Sequence, residues 1–231
     1  MKRIAVLTGA GISAESGIKT FRDSNGLWED HDIMEVASPQ GWTKNRKLVL
    51  DFYNARRAQL KECQPNQGHM DLVKLEEKFH VDIITQNVDN LHEKAGSKNI
   101  LHLHGELTKV RSLGNPAIVY DWEDDLNEGD KCEEGHQLRP HIVWFGEMVP
   151  MLEPAVQFVN QADIVIIIGT SMQVYPAASL VGYALPGAEI YYIDPAPKIN
   201  NELHLRKNLI VQSEKATVGV GKLVEKLLSK V

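Results

Sequence analysis

Six short, almost unbroken apolar runs, each ending in small or polar residues, constrain this chain more than any other feature. They cover residues 3–8, 81–85, 100–103, 164–168, 190–193 and 209–212. Runs this short and this rich in Val and Ile read as strands. A strand that is apolar on both faces must be covered on both. Stretches with helical spacing lie between several of them, at 70–78, 176–184 and 218–228. Strand–helix alternation of this kind predicts an α/β fold with a doubly wound parallel sheet. At roughly 150 residues per domain, 231 residues make one large domain and a smaller appendage. Two stretches break the rhythm. Residues 24–66 read as a loop followed by a helix around 48–61, and residues 108–141 hold Gly114-Asn115-Pro116, an acidic run and Gly135. They are expected to form a small inserted module, leaving 1–23, 67–107 and 142–231 for the large domain.

Charge and cysteine usage exclude several function classes. The net charge of −6 argues against direct nucleic-acid binding through phosphate contacts. Residues 121–134 carry eight acids and one Lys, so the rest of the chain is close to neutral. Two cysteines, Cys63 and Cys132, cannot build a disulfide framework, and a reducing cytoplasmic location is expected. Lys2-Arg3 precede only four apolar residues, too few for a signal-peptide core. No apolar run approaches the length of a membrane span, so no membrane association is expected. No Gly-x-Ser-x-Gly elbow supports a serine hydrolase.

The strand ends carry the residues that could do chemistry. The first run reaches Gly9-Ala10-Gly11, the second Gln86-Asn87-Val88-Asp89, the third His104-Gly105, the fourth Gly169-Thr170-Ser171 and the fifth Asp194. Open α/β sheets bind ligands outside the carboxyl ends of their strands, so five such clusters predict one shared crevice. Gly9-Ala10-Gly11-Ile12-Ser13-Ala14 fits a dinucleotide fingerprint with Ala in the third glycine place. Its glycines would let the backbone approach a pyrophosphate, and the following helix N-terminus would favour the anion. A tight turn without a ligand is the alternative. The second strand and acid that a dehydrogenase places about 20 residues on are missing, because 25–30 reads as a loop. Arg22, in Phe21-Arg22-Asp23, either clamps phosphate or pairs with Asp23 or Asp30.

Asn87 and Asp89 either bind an amide-bearing ring such as nicotinamide or turn the chain and cap the next helix. His102 and His104 are two apart on a strand and so share a face. His104, at the strand end, is the candidate general base. His102 reads as a satisfied core histidine, with a His92/His102/His104 metal site as an alternative. Tyr53 and Arg56 are three apart on the expected helix, and a phenol beside a guanidinium can hold a carboxylate. A surface Arg paired with Asp51 or Glu62 and a Tyr packed on the module fit equally, and spacing does not choose Arg56 over Arg57.

Together these stretches resemble the sirtuin family of NAD-dependent protein deacylases. The matching pieces are GAGISAESGIKTFRDSNGLW at 9–28, TQNVDNLH at 85–92, LHGEL at 103–107, LRPHIVWFGE at 138–147 and GTSMQVYPAA at 169–178, in family order along almost the whole chain. The resemblance implies a Rossmann-like large domain with a small inserted module, and transfer of an acyl group from lysine to ADP-ribose with release of nicotinamide. Acyl-lysine proteins or peptides would be the partners. His104, Asn87 and Asp89 would be catalytic. Gly9, Ala10, Gly11, Glu15, Trp28, Gln86, Gly169, Thr170, Ser171, Asp194 and Ala216 would line the NAD site, with Phe21 and Arg22 on a loop covering it. Asn87, Val88 and Asp89 would form the nicotinamide pocket. Asp194 stands where relatives usually have Asn. Val143, Trp144, Phe145, Gly146 and Glu147 would pair with the substrate backbone as an added strand. Tyr-x-x-Arg at 53–56 is similar to the subclass that removes succinyl and malonyl groups, and the small Ala14 agrees with a longer acyl chain.

One departure is large. Many sirtuins hold structural zinc on two Cys-x-x-Cys pairs between the catalytic His and the LRP segment. In 108–138 those places fall on Ser112, Asn115, Cys132 and Gly135. Structural zinc takes four N or S ligands. Cys132 and His136 supply two at most, so zinc is not expected. Packing through Ile118, Val119, Tyr120 and Trp122 is expected to hold the module instead.

Overall fold

The computed structural model describes residues 1–18, 31–230 and, for the backbone alone, 27–28. Its strands are β1 Arg3–Thr8, β2 Leu27–Trp28, β3 His31–Asp32, β4 His80–Thr85, β5 Ile100–His102, β6 Gly105–Ser112, β7 Val119–Asp121, β8 Leu138–Ile142, β9 Ile164–Ile168, β10 Glu189–Ile193 and β11 Leu209–Gln212. Its α-helices are α1 Ala10–Ser13, α2 Ile33–Val36, α3 Pro39–Lys44, α4 Arg46–Glu62, α5 Gln67–Leu75, α6 Leu91–Ala95, α7 Leu152–Asn160, α8 Asn201–His204 and α9 Ala216–Leu228.

The six apolar runs become one sheet ordered β11-β10-β9-β1-β4-β5, with every pair parallel. Alternation along each strand serves two cores at once. Ile4 and Val6 face one layer with Leu72, Leu75, Val220 and Leu223 of α5 and α9. Ala5 and Leu7 face the other with Ala155 and Val159 of α7 and Leu180 of the segment Ala177–Tyr183. Successive side chains point to opposite faces, so both sets must be apolar in a two-sided sheet. Chain order reverses at β1, which pairs with β4 on one side and β9 on the other. This is the topological switch point, where such folds open a crevice.

The second unit is an antiparallel sheet, β7-β6-β8, packed with α3 and α4 around Trp42, Val49, Phe52, Tyr53, Val110, Leu138 and Trp144. Ile118, Tyr120 and Trp122 pack against that cluster, whereas Val119 is exposed and does not contribute.

Several sequence expectations shift. Of the stretch 25–30 that reads as a loop, Leu27 and Trp28 are described, and they form a short strand paired antiparallel with Asp32 and His31. The segment 176–184 is wound as a 3₁₀ helix over Ala177–Tyr183. An i, i+3 apolar spacing fits either winding, so the pattern could not separate them. Before α4 the chain makes α2 and α3. The second of these starts on Ser38, whose hydroxyl accepts from the Gly41 N–H at 2.9 Å, with Pro39 in the first turn.

Candidate functional site

The site begins where β1 and β9 end side by side. Gly11 N–H donates to Gly169 O at 2.8 Å, and a Cβ on Gly11 would lie 2.6 Å from the Gly169 Cα. Gly169 has φ +60°, and a Cβ there would collide with the Ile12 nitrogen. Two glycines, 158 residues apart in sequence, are therefore what lets the loops after β1 and β9 touch at the crevice floor. The helix expected to follow is a single turn, α1, continued by a 3₁₀ turn over Ala14–Ser16. Its dipole is correspondingly short, and the cradle owes more to close backbone approach than to a helix end.

β4 delivers Gln86, Asn87, Val88 and Asp89. Gln86 Nε2 donates to Thr170 Oγ1 at 3.0 Å, tying the β4 and β9 ends together. Asn87 Nδ2 donates to Ser13 Oγ at 3.0 Å, and that hydroxyl donates to Asp89 Oδ2 at 3.0 Å. Asp89 Oδ1 accepts from Leu91 N–H at 3.1 Å. Asp89 therefore caps the turn into α6 and also faces the cavity. Burial raises its pKa against these hydrogen bonds.

β5 ends at His102, so His104 stands on the turn that follows and not on the strand. Its Nδ1 lies 3.0 Å from the Gln86 carbonyl. A carbonyl can only accept, so Nδ1 carries the proton and Nε2 keeps its lone pair for the cavity. Burial lowers the pKa of His104, with the Gln86 carbonyl pulling the other way, so the ring is neutral and basic at pH 7. Gly105 follows at φ +83°, and a Cβ there would strike the His141 carbonyl. A glycine after the base is what allows β6 to leave the turn hard against β8.

His102 is satisfied elsewhere. Nδ1 meets the Asn87 carbonyl at 3.1 Å and Nε2 meets Glu93 at 2.7 Å. Burial opposes its charge, but the Glu93 carboxylate outweighs it and raises the pKa. His92 is held by Thr8 at 3.1 Å. The three rings point to different partners, and among the described residues they do not gather their ring nitrogens at one place as a His92/His102/His104 metal site would need. Among the described residues, Glu93, His102 and Glu106 bring three ligand atoms within 4.8 Å of one another. Glu93 and His102 already bond each other, and Glu106 pairs with Lys109 at 2.8 Å.

The small unit closes the other wall. Tyr53 is fully buried in its core and accepts from Trp144 Nε1 at 3.0 Å, while Arg56 lies with its guanidinium 5.5 Å from the Phe52 ring centroid. Arg57 turns the opposite way, donating to Leu107 O, Asn54 Oδ1 and Asp124 O at 3.1, 2.9 and 3.2 Å. Asp51 pairs with Lys47 rather than with an arginine of this turn.

Residues 143–147 form a turn with Gly146 at φ +90°. Four of their five N–H groups are taken within the chain: Val143 by His104 O, Trp144 by Glu147 Oε2, Phe145 by Ala37 O and Glu147 by Trp144 O. Strand addition here would rest on the remaining carbonyls and Gly146 N–H. The Glu147 carboxylate is engaged by Arg139 at 2.7 Å and Arg111 at 3.2 Å, and so serves this turn.

All these walls enclose one cavity of about 670 Å³. Gly9, Ala10, Gly11, Ala14 and Glu15 line it, as do Gln86, Asn87, Val88, Asp89 and His104. So do Tyr53, Arg56, residues 143–147, Gly169, Thr170, Ser171, Asp194 and Ala216. Glu15 accepts from Thr217 Oγ1 at 2.8 Å, which ties α9 to the rim. Asp194 is buried, and its Oδ1 accepts from Ala196 N–H at 2.8 Å. Phe21 and Arg22 lie outside the described residues, and Trp28 is placed in β2 by its backbone. Sequence reasoning missed Gln59, Leu107, Tyr175 and Lys215, which also line the cavity. Leu107 and Tyr175 sit inside LHGEL and GTSMQVYPAA without a role of their own there, whereas Gln59 and Lys215 follow no motif and only packing brings them to the cavity.

The places where zinc cysteines would fall hold a hydroxyl, a carboxamide, a thiol and a glycine with no side chain. That donor set does not suit a structural zinc.

A model of the Sir2 family matches residues 9–176. An NAD-dependent protein deacylase of Helicobacter pylori (strain ATCC 700392 / 26695) is 59% identical over 228 residues, covering 99% of this chain and 98% of the relative. An NAD-dependent protein deacylase of Bacteroides thetaiotaomicron is 52% identical over 234 residues, covering 99% of both. Among solved structures, a Sir2 homologue in complex with ADP-ribose superposes with a TM-score of 0.89 at 37% identity, covering 99% of this chain and 93% of that one. A Sir2 homologue–NAD complex gives 0.88 at 38% identity, covering 99% and 90%.

Proposed function

Because the chain belongs to the Sir2 family and is an NAD-dependent protein deacylase, we propose that this cavity performs the whole reaction, with His104 as base and Tyr53 and Arg56 selecting an acidic acyl group. The observation that carries this reading is the continuity of the cavity from the Gly11–Gly169 floor past His104 to Arg56. NAD, when bound, supplies the ribose carbon that takes the acyl oxygen and the nicotinamide that departs. The residues present fit it: a glycine floor admits a diphosphate backbone, and the Ser13–Asn87–Asp89 network presents fixed polar groups to a carboxamide. Buried Asp194 can accept from ribose hydroxyls. His104 accepts a ribose-hydroxyl proton at Nε2 while Gln86 holds the ring through Nδ1. Residues 143–147 receive the peptide, and Ala14 leaves room for an acyl chain longer than acetyl. Phe21 and Arg22 would cover the dinucleotide.

In this reading 1–23, 67–107 and 142–231 bind NAD, and 24–66 with 108–141 supply the acyl-facing wall. The chain acts on acyl-lysine proteins in the cytoplasm, consistent with two buried, unpaired cysteines. No helix among the described residues is long and apolar enough to cross a membrane.

The test is product analysis with acetyl- and succinyl-lysine peptides. O-acyl-ADP-ribose formed in step with free lysine, at comparable or higher efficiency for succinyl, is the expected result. Free ADP-ribose as the main product would indicate NAD hydrolysis instead, and acetyl turnover alone would remove the acyl assignment.

A further inference from the structure

The small unit holds its two loop tips together in a way the deacylase reading does not use. One tip, 112–115, leaves β6; the other, 132–136, leads into β8 through the bridge Lys131–Gln137. Each tip is a closed turn. Gly114 and Asn115 N–H both donate to Ser112 Oγ at 3.2 Å. Cys132 N–H donates to His136 O at 2.9 Å, and Gly135 N–H donates to Cys132 O at 2.9 Å. The first residue of each tip points at the other tip. Cys132 Sγ and Ser112 Oγ are hydrogen-bonded at 3.3 Å, with both residues almost fully buried.

Two further contacts seal the junction. Asn115 Nδ2 donates to Glu134 Oε1 at 3.3 Å, and a Cβ on Gly114 would run into the His136 ring. Ser112, Asn115, Cys132 and Gly135 are the four places at which zinc cysteines would fall. We propose that a hydrogen-bonded knot centred on Ser112 and Cys132 provides the cross-link that a metal provides in cysteine-bearing relatives.

The chemistry is self-consistent. A hydroxyl can gather backbone N–H groups as a thiolate would, yet carries no charge that needs a cation. The knot also has a functional address. β6 begins at Gly105, beside His104, and β8 runs into the turn 143–147, so the knot ties the far ends of the two strands that carry the base and the substrate turn.

The test uses the full chain, with thermal unfolding measured before and after treatment with a strong chelator and zinc determined by elemental analysis. We expect less than about one-tenth of a zinc per chain and an unmoved midpoint. Ser112→Ala and Cys132→Ala should each lower the midpoint by roughly 3–10 °C, and the double variant should lose less than the sum. Cys132→Ser keeps the hydrogen bond and should stay near the wild-type midpoint. If Ser112→Ala does not fold, Cys132→Ser decides: a retained midpoint supports the knot, and a fall as large as that of Cys132→Ala overturns it. Stoichiometric zinc whose removal unfolds the chain, or fully additive losses, would also overturn it.

Discussion

Arg56 and Arg57 are neighbours in sequence, and replacing each with Met should give opposite phenotypes. Arg56 lies at the cavity wall, half-buried and over Phe52, and Tyr53 lines the same cavity. A charge-assisted hydrogen bond from its guanidinium to an acyl carboxylate is worth about 1.5–3 kcal/mol. Arg56→Met should therefore lower the ratio of succinyl to acetyl kcat/KM by roughly 10- to 150-fold. Tyr53→Phe removes a neutral bond worth only about 0.5–1.5 kcal/mol, so its effect on that ratio should be smaller. It also leaves the buried Trp144 N–H unpaired, which should show as lost stability. Arg57→Met strips donors from two backbone carbonyls and Asn54 in a nearly solvent-free position. It should lower stability by on the order of 3 kcal/mol and leave the ratio where it was. Steady-state kinetics on matched succinyl- and acetyl-lysine peptides, with urea unfolding of each variant, check all three. If Arg56→Met depresses both substrates equally, Arg56 is structural and the carboxylate reading fails.

Other outcomes follow from the same geometry. His104→Ala should keep calorimetric NAD affinity within a few-fold and lose about 10² to 10⁴ in turnover; undiminished turnover would remove His104 from the mechanism. Gly169→Ala places a Cβ on the Ile12 nitrogen at a left-handed φ, so NAD affinity should collapse; wild-type affinity would show that the crevice floor is not the binding surface. His69 is fully buried, and burial lowers its pKa from 6.5 to about 4, with His92 lowered by burial beside it. Between those values the unfolded chain binds more protons, so the stability from a neutral His69 is complete above pH 6.5 and is lost as pH falls toward 4. That loss amounts to about 3 kcal/mol at 1.36 kcal/mol per unit. Urea unfolding at pH 7 and pH 4.5 should show it, and a flat profile would contradict the burial argument.

The local pattern was enough to place the sheet. Period-two apolar runs mark a strand and, when both faces are apolar, a strand covered on both sides, so all six sheet strands were legible to within a residue or so at each end. The polar residues at their ends were legible too, because short-range chemistry puts Gly and Asn where a chain must turn. The same periodicity says nothing about which strand lies beside which. That β9 returns to pair with β1, seating Gly169 on Gly11, is a long-range choice made by the packing of two cores. Nor could spacing resolve adjacent residues on α4. Each residue turns the helix by about 100°, so Arg56 and Arg57 take different directions, and only the docking of α4 on β6 decides which one sees the cavity. Ser112 and Cys132 lie twenty residues apart at places where zinc cysteines would fall, but that they bond each other directly follows only from the pairing of Ser112 with Leu138 and of Lys131 with Gln137. Sequence determined which faces are buried and which strand ends are polar. Tertiary structure decided which of those ends share one cavity, because that depends on contacts between segments that no local pattern encodes.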